Sequence, residues 1–415
     1  MLKHVVLNFP DDHPFLGMGI ASYDMIKGIE KIFEWDFLPS KGTVPQSNLY
    51  KIVLGNVHRQ NETALNEIIP ISLEMSQFNC YLICSIFGIK INERIVFYIY
   101  GFFLQHDKVR KNLDILRPLL KKAAEGGMKI KITLQAKQPI HEATHYIQKL
   151  ANEIKILMKS GITTNFPFPK ILPQDSVFYA TALFSHLSSQ MVTIIEASSI
   201  EEAQQLFSFL SKFLLKSQAA LSSTALLDEP QPELFLQIVK ERETISMIKM
   251  LNFERSWTWI RLKTKSVYIS PDITSQKRYY DIFRDFDPND NSENGKRMKK
   301  YLETYTTRQI TRCHWTTTIV SKIISSSPQV SNLICERMVD LLVTKGIILL
   351  EYIKSLGEVA FLQNSQLEIA KQILEVNEED MFYAIVSVAD LLDNSVHRKI
   401  FAGKKAMLIS MMASI

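Results

Sequence analysis

Several common signatures are missing from this chain, and each absence narrows its class. Four cysteines (Cys80, Cys84, Cys313 and Cys335) in 415 residues are too few for a disulfide framework and suit a reducing compartment. The strongest apolar stretches, Tyr81–Ile89 and Ile95–Leu104, are split by Lys90, Asn92, Glu93 and Arg94. Each is about half of the roughly 20 residues that a membrane helix needs. The N-terminal apolar run meets Pro10, Asp11 and Asp12, too early for a secretory signal. The expectation is a soluble, cytoplasmic protein. A net charge of +5 is small for this length, and no zinc-finger, RNP, Walker A, G-x-G-x-x-G or G-x-S-x-G pattern occurs. A dense basic face of the nucleic-acid-binding kind is therefore not expected, nor is any cofactor.

What is present suits packed cores: 46% hydrophobic and 22% charged residues fall in the globular range, and the length allows two or three domains. Leu2–Leu7 and Ile29–Phe33 read as strands, and Tyr81–Phe87 with Arg94–Phe103 as a buried hairpin around a polar turn. Asp107 is expected to cap a helix carrying Val109, Leu113, Leu116 and Leu120 on one face, with Gly126–Gly127 ending it. Lys129–Leu134 then alternates like one more strand. Pro139 opens a second helix, whose apolar seam runs from Ile140 through Ile147, Leu150 and Ile154 to Leu157 before Gly161 stops it.

Pro167, Pro169 and Pro173 mark Asn165–Pro173 as an extended, exposed linker. Beyond it, Ser176–Leu187 reads as helix and Met191–Glu196 as a buried strand. Ser199 with Glu202 forms a capping box at the start of another helix. Leu234–Val239 and Thr258–Leu262 are further strands, Asp285–Lys300 a polar loop with blocks of opposite sign, and everything from Thr307 onward helical. His186 reads as a core or boundary histidine, and Trp257 with Trp259 as packing on one strand face. Asp287–Ser292 opens like a calcium loop but has Ser292 where the turn needs glycine, and Met298 at the twelfth position. The basic cluster Lys296–Lys300 reads as a solvated loop, with a weak peripheral contact to a membrane or an acidic partner as the sharper alternative.

One short motif carries a mechanism. His141-Glu142-Ala143-Thr144-His145 is an H-E-x-x-H, whose two histidines could share a zinc ion while the glutamate polarises water. Pro139 places it in a first helical turn, its histidines flank the apolar seam, and no third ligand stands out downstream. A zinc peptidase is the remote alternative, with solvated surface histidines as the plainer reading.

The order of several segments resembles the longin–DENN family. In the first part these are Gly28–Trp35, Leu54–Glu62, Leu82–Gly88 and Tyr100–Gln105. Phe184–Leu187, Glu196–Glu201, Gln276–Tyr280, Leu350–Lys354 and Ile400–Gly403 continue the series. The resemblance implies an α/β chain: a longin domain (a sheet with flanking helices) over 1–162, a Pro-rich linker over 163–174, and a DENN α/β core over 175–284. A polar loop over 285–306 and a helical DENN subdomain over 307–415 would follow. It implies a non-catalytic subunit or scaffold, pairing with a second longin–DENN protein or with itself, in an assembly that activates Rab- or Arf-type small GTPases. Membrane traffic, autophagy and lysosomal signalling are the implied settings, with recruitment to endomembranes. A stand-alone DENN-type exchange factor is the alternative. A β-propeller protein joins the family's assembly through a tail, and here the tail after Gly403 is shorter and differently composed. The family's arginine finger comes from the partner; Arg59, Arg94 and Arg110 are the longin arginines of this chain that could face a GTPase.

Overall fold

The computed structural model describes residues 3–9, 12–24, 26–38, 40, 50, 67–91, 94–162, 166–241, 248, 250–270, 273–283, 285–287, 290, 292–306, 308–309 and 313–400. The chain divides into two compact units, residues 1–161 and 162–415, each built on a mixed six-stranded sheet. The fold class is therefore α/β. Among the described residues no helix is long and apolar enough to cross a membrane.

In the first unit the strands are β1 (Lys3–Asn8), β2 (Phe15–Asp24), β3 (Gly28–Leu38), β4 (Ile69–Met75), β5 (Cys80–Ile91) and β6 (Arg94–Gln105). Their order across the sheet is β1-β3-β2-β6-β5-β4, with β1 parallel to β3 and every other neighbour antiparallel. β5 and β6 form the expected hairpin at the centre, and Cys80 to Ile89 are buried without interruption. A strand buried on both faces needs no polar alternation, which is why its sequence reads as one apolar run. Cys80 and Cys84 are core residues, and burial pushes their thiols up to about 11 and about 12.

The helices of this unit depart from expectation. His106–Arg110 (α1) is a separate short helix, and α2 restarts at Leu116 and runs to Gln135. Pro118 falls in the first turn of α2, where its missing N–H is not needed. Leu113 consequently lies between the helices, exposed, rather than on a shared face. Gly126–Gly127 do not end the helix, and Lys129–Leu134 is its last part rather than a strand. Both glycines serve close approach instead. A Cβ on Gly126 would lie 2.3 Å from Tyr100 Cε1 on β6, and one on Gly127 would lie 2.2 Å from Ser85 Oγ on β5. After Pro139, a 3₁₀ turn (Ile140–Ala143) leads into α3 (Thr144–Met158), whose Ile147, Leu150, Ile154 and Leu157 are buried as the spacing requires. The buried Lys122 ammonium joins α2 to α3 by pairing with Glu125 at 3.0 Å and Glu153 at 2.8 Å.

The segment after Gly161 packs on the second unit rather than standing clear of it. Lys212 Nζ donates to Phe166 O at 2.7 Å, and Ile171 is buried. The second unit then runs through α4 (Ser176–Ser188), β7 (Thr193–Ala197), α5 (Ile200–Ser211), α6 (Lys216–Ala220), β8 (Ser223–Leu227), β9 (Leu236–Lys240), β10 (Thr258–Arg261) and β11 (Ser266–Ile269). Next come α7 (Ile273–Phe283), α8 (Glu293–Thr306), β12 (Arg308–Gln309), α9 (His314–Ile324), α10 (Pro328–Ser355), α11 (Asn364–Ile373) and α12 (Glu379–Leu392). The sheet order is β12-β11-β10-β7-β9-β8, and the four strands β10, β7, β9 and β8 are parallel. The expected loop over 285–300 is half helix. Ser292 Oγ accepts from Gly295 N at 3.0 Å and Asp290 Oδ1 from Ser292 N at 2.9 Å, so a capped helix starts where the sign of charge changes. Glu293 in the first turn suits the helix dipole.

Candidate functional site

In open sheets of parallel strands, ligand- and partner-facing groups gather where the strands end at their carboxyl side. In the second unit that edge holds a row of paired charges. Arg261 ends β10 and lies opposite Glu196 of β7 in the parallel ladder. Glu196 is 5% exposed, and both its oxygens are engaged: Oε1 accepts from Arg261 Nε at 3.1 Å and Oε2 from Trp259 Nε1 at 2.9 Å. The Arg261 guanidinium also lies over the Trp259 ring, 5.2 Å from its centroid. Burial pushes the Glu196 carboxyl above the usual carboxylate range, more strongly than Arg261 and Trp259 hold it down. Around it, Lys263 pairs with Glu241 at 2.9 Å and Lys240 with Asp228 at 2.7 Å.

Between them α5 begins. Ser199 Oγ accepts from Glu202 N at 3.3 Å, as the capping box requires, but Glu202 returns to Ser198 N (2.7 Å) and Ser198 Oγ (2.6 Å), one residue before the expected donor. The helix start is thus closed by its own carboxylate. A row of lysines and carboxylates, with an arginine guanidinium over a tryptophan ring, offers charges of both signs to a protein surface. Its charges are already balanced locally, which disfavours a small anion.

Arg261→Ala is expected to destabilise the second unit by about 1–3 kcal/mol near neutral pH, because it leaves a buried carboxylate with one donor. The deficit should shrink in acid as Glu196 takes up a proton. Denaturant titrations at pH 7 and pH 5 measure it; a deficit indifferent to pH would mean that Arg261 acts through its packing on Trp259 alone.

The arginines singled out in the first unit are not brought together. Arg59 lies outside the described residues. Arg94 begins β6, exposed, and helps to lower the Asp24 carboxyl, after the backbone donors of Ile26 and Lys27. Arg110 ends α1, beyond the other end of β6. It adds at longer range to His106 and Tyr81, which hold the Glu74 carboxyl down; His106 Nε2 lies 2.7 Å from Glu74 Oε1. The 12 residues of β6 separate Arg94 from Arg110 by ~35–40 Å at the usual rise per residue, so one GTPase phosphate cannot meet both.

His141, Glu142 and His145 are all exposed, and the motif is divided between the 3₁₀ turn and α3. Its fourth residue, Thr144, is pinned to the sheet by Trp35 Nε1, which donates to Thr144 Oγ1 at 3.3 Å. Among the described residues no three His, Cys, Asp or Glu side chains gather as a metal set.

The Glu196–Trp259–Arg261 arrangement escaped the sequence reading. Its only linear signal was the alternation Trp257-x-Trp259-x-Arg261, and nothing along the chain tied that strand to Glu196.

A model of the C9orf72-like protein family matches residues 48–276, more than half of the chain. No curated protein matches it closely enough to be counted.

Proposed function

Because the chain belongs to the C9orf72-like protein family, we propose that it is a longin–DENN subunit that regulates a small GTPase by assembling with other proteins. One observation carries the reading. The match at 48–276 runs across the boundary at residue 161, taking in β4 to β6 and both long helices of the first unit together with β7 to β11 of the second. A match that takes in parts of both α/β units supports the organisation expected of a longin domain followed by a DENN domain. In this reading the paired charges at the carboxyl edge of the second sheet form a recognition surface. A second longin–DENN protein supplies the arginine that neutralises charge on the transferring phosphoryl group. The settings expected from the resemblance, membrane traffic and lysosomal signalling, belong to the same proposal.

The test is GTP hydrolysis and GDP release on a panel of Rab and Arf proteins, with the purified chain alone and with a longin–DENN partner. Hydrolysis stimulated only when both subunits are present is the expected result. Release of GDP by the chain alone would replace this reading with a stand-alone exchange factor. No effect on any GTPase in either format would overturn the regulatory reading.

A further inference from the structure

The 28 residues of α10 carry two apolar stripes, and only one of them is used by the fold. Cys335, Met338, Leu342, Gly346, Leu349 and Ile353 are buried. A Cβ on Gly346 would lie 3.2 Å from Val388 Cγ1 and 3.3 Å from Ala389 N, which places α12 directly against this stripe. On the opposite side Leu333, Arg337, Leu341, Thr344, Ile348 and Glu351 follow one another in steps of four and three, and every one is exposed. Leu333, Leu341 and Ile348 are 52%, 41% and 39% exposed. Alternating steps of three and four keep residues on the line along which two helices pack with interlocking side chains. The neighbouring α11 is held alongside by Tyr352 Oη, which donates to Gln366 O at 3.2 Å, and by Lys345 Nζ, which donates to Leu374 O. It carries two further exposed apolar residues, Ile369 and Ile373. Single exposed apolar residues are ordinary, whereas a contiguous strip marks an interface.

The charges on this stripe identify its occupant. Arg337 and Glu351 stand symmetrically about Thr344, seven residues to either side, with Leu341 and Ile348 between them. Arg337 takes part in no ion pair among the described residues. Among the described residues Glu351 pairs with Lys354 at 2.8 Å, an exposed pair of the kind that contributes little and exchanges readily. Turning a second copy of α10 about a two-fold axis through Thr344 sets each Arg337 against the other copy's Glu351. The same rotation sets each Leu341 against the other copy's exposed Ile347, one residue from Ile348. A parallel pairing would set arginine on arginine and glutamate on glutamate. We propose that this face of α10 is a self-association surface, on which two copies of the chain pair antiparallel across a two-fold axis at Thr344. The inference is independent of any GTPase.

Charge reversal tests it on the full-length protein by sedimentation velocity. The wild type is expected to be a dimer that dissociates on dilution. Arg337→Glu and Glu351→Arg should each weaken it by roughly tenfold or more, because each creates two like-charge contacts. An equimolar mixture of the two variants should dimerise again, since the reversed position of one chain then faces the unreversed partner position of the other with opposite sign. The double variant Arg337→Glu/Glu351→Arg should likewise recover self-association. All the altered side chains are exposed, and far-UV circular dichroism checks that each variant keeps its helices. A wild type that stays monomeric at high concentration overturns the proposal. So does a dimer that neither single reversal weakens, or a mixture that fails to restore it; a different protein bound on this stripe would be the occupant in that case.

Discussion

Between pH 6.5 and about pH 3 the second unit is expected to lose on the order of 4–5 kcal/mol of folding stability through one residue, His186. The residue sits on α4, fully buried, with Nδ1 2.8 Å from Thr193 Oγ1 on β7 and Nε2 without a hydrogen-bond partner among the described residues. Burial alone lowers its proton affinity, from the ordinary 6.5 to about 3. Next to it Thr258 Oγ1 meets Ser185 Oγ at 2.7 Å and Ser189 Oγ at 2.8 Å, so the hydroxyls nearby satisfy one another and offer the ring no anion. The unfolded chain therefore takes up this proton first as the pH falls. Stability from this group is complete above pH 6.5 and is lost at about 1.4 kcal/mol per pH unit until the folded imidazole also titrates.

Urea titrations followed by tryptophan fluorescence, repeated from pH 7 to pH 3.5, measure the slope. Carboxylates add their own pH dependence, so the informative quantity is the difference from His186→Asn, which keeps a polar group near Thr193 but cannot be charged. That variant should be weaker at pH 7 and lose less in acid. Parallel curves for the two proteins would show that His186 is not buried neutral in the fold.

Gly126→Val should cost the first unit about 3 kcal/mol or more. Even a single added carbon would lie 2.3 Å from Cε1 and 2.7 Å from Cζ of Tyr100, and 3.0 Å from Leu150 Cδ2. Tyr100 has no room to retreat. It is fully buried, its ring meets Trp35 edge-on at 6.4 Å, and its hydroxyl faces Met18 Sδ at 3.4 Å. Replacing glycine inside a helix ordinarily gains about 1 kcal/mol of helix propensity, so the expected loss has the opposite sign to the local preference. Gly357→Ala is the control: its glycine has a φ of +77° and nothing within 4 Å of the added carbon, so only backbone strain of about 1 kcal/mol applies. Thermal and denaturant unfolding of each variant, with hydrogen exchange to assign the transition to the first unit, decide the matter. Wild-type stability for Gly126→Val would mean that α2 does not pack this closely on β6.

Those two positions also mark where a linear reading stops. The hairpin of β5 and β6, the seam of α3, the capped start of α5 and the helices from α9 to α12 were all legible. Each is written in spacing or in residues within a few positions of one another. The same Gly126–Gly127 pair that looked like a helix stop is a contact surface, because a glycine that ends a helix and one that lets a helix touch a sheet are identical along the chain. Only the strands on the other side distinguish them. Likewise Asp285–Lys300 read as loop from its charge, although Asp290 and Ser292 form a capping turn that starts a helix inside it.

Local chemistry, then, was enough for the α/β class, for most of the longer elements and for the family resemblance that the family match bears out. It could not select the candidate surface. Arg94 and Arg110 were visible as charges, but the length of β6 sets them apart. Glu196 and Arg261 were 65 residues apart in sequence and become neighbours only because β10 crosses over to lie beside β7. Whether a charge is solvated or buried against a partner depends on which strands pair, and strand pairing is a long-range property that no short window of sequence contains.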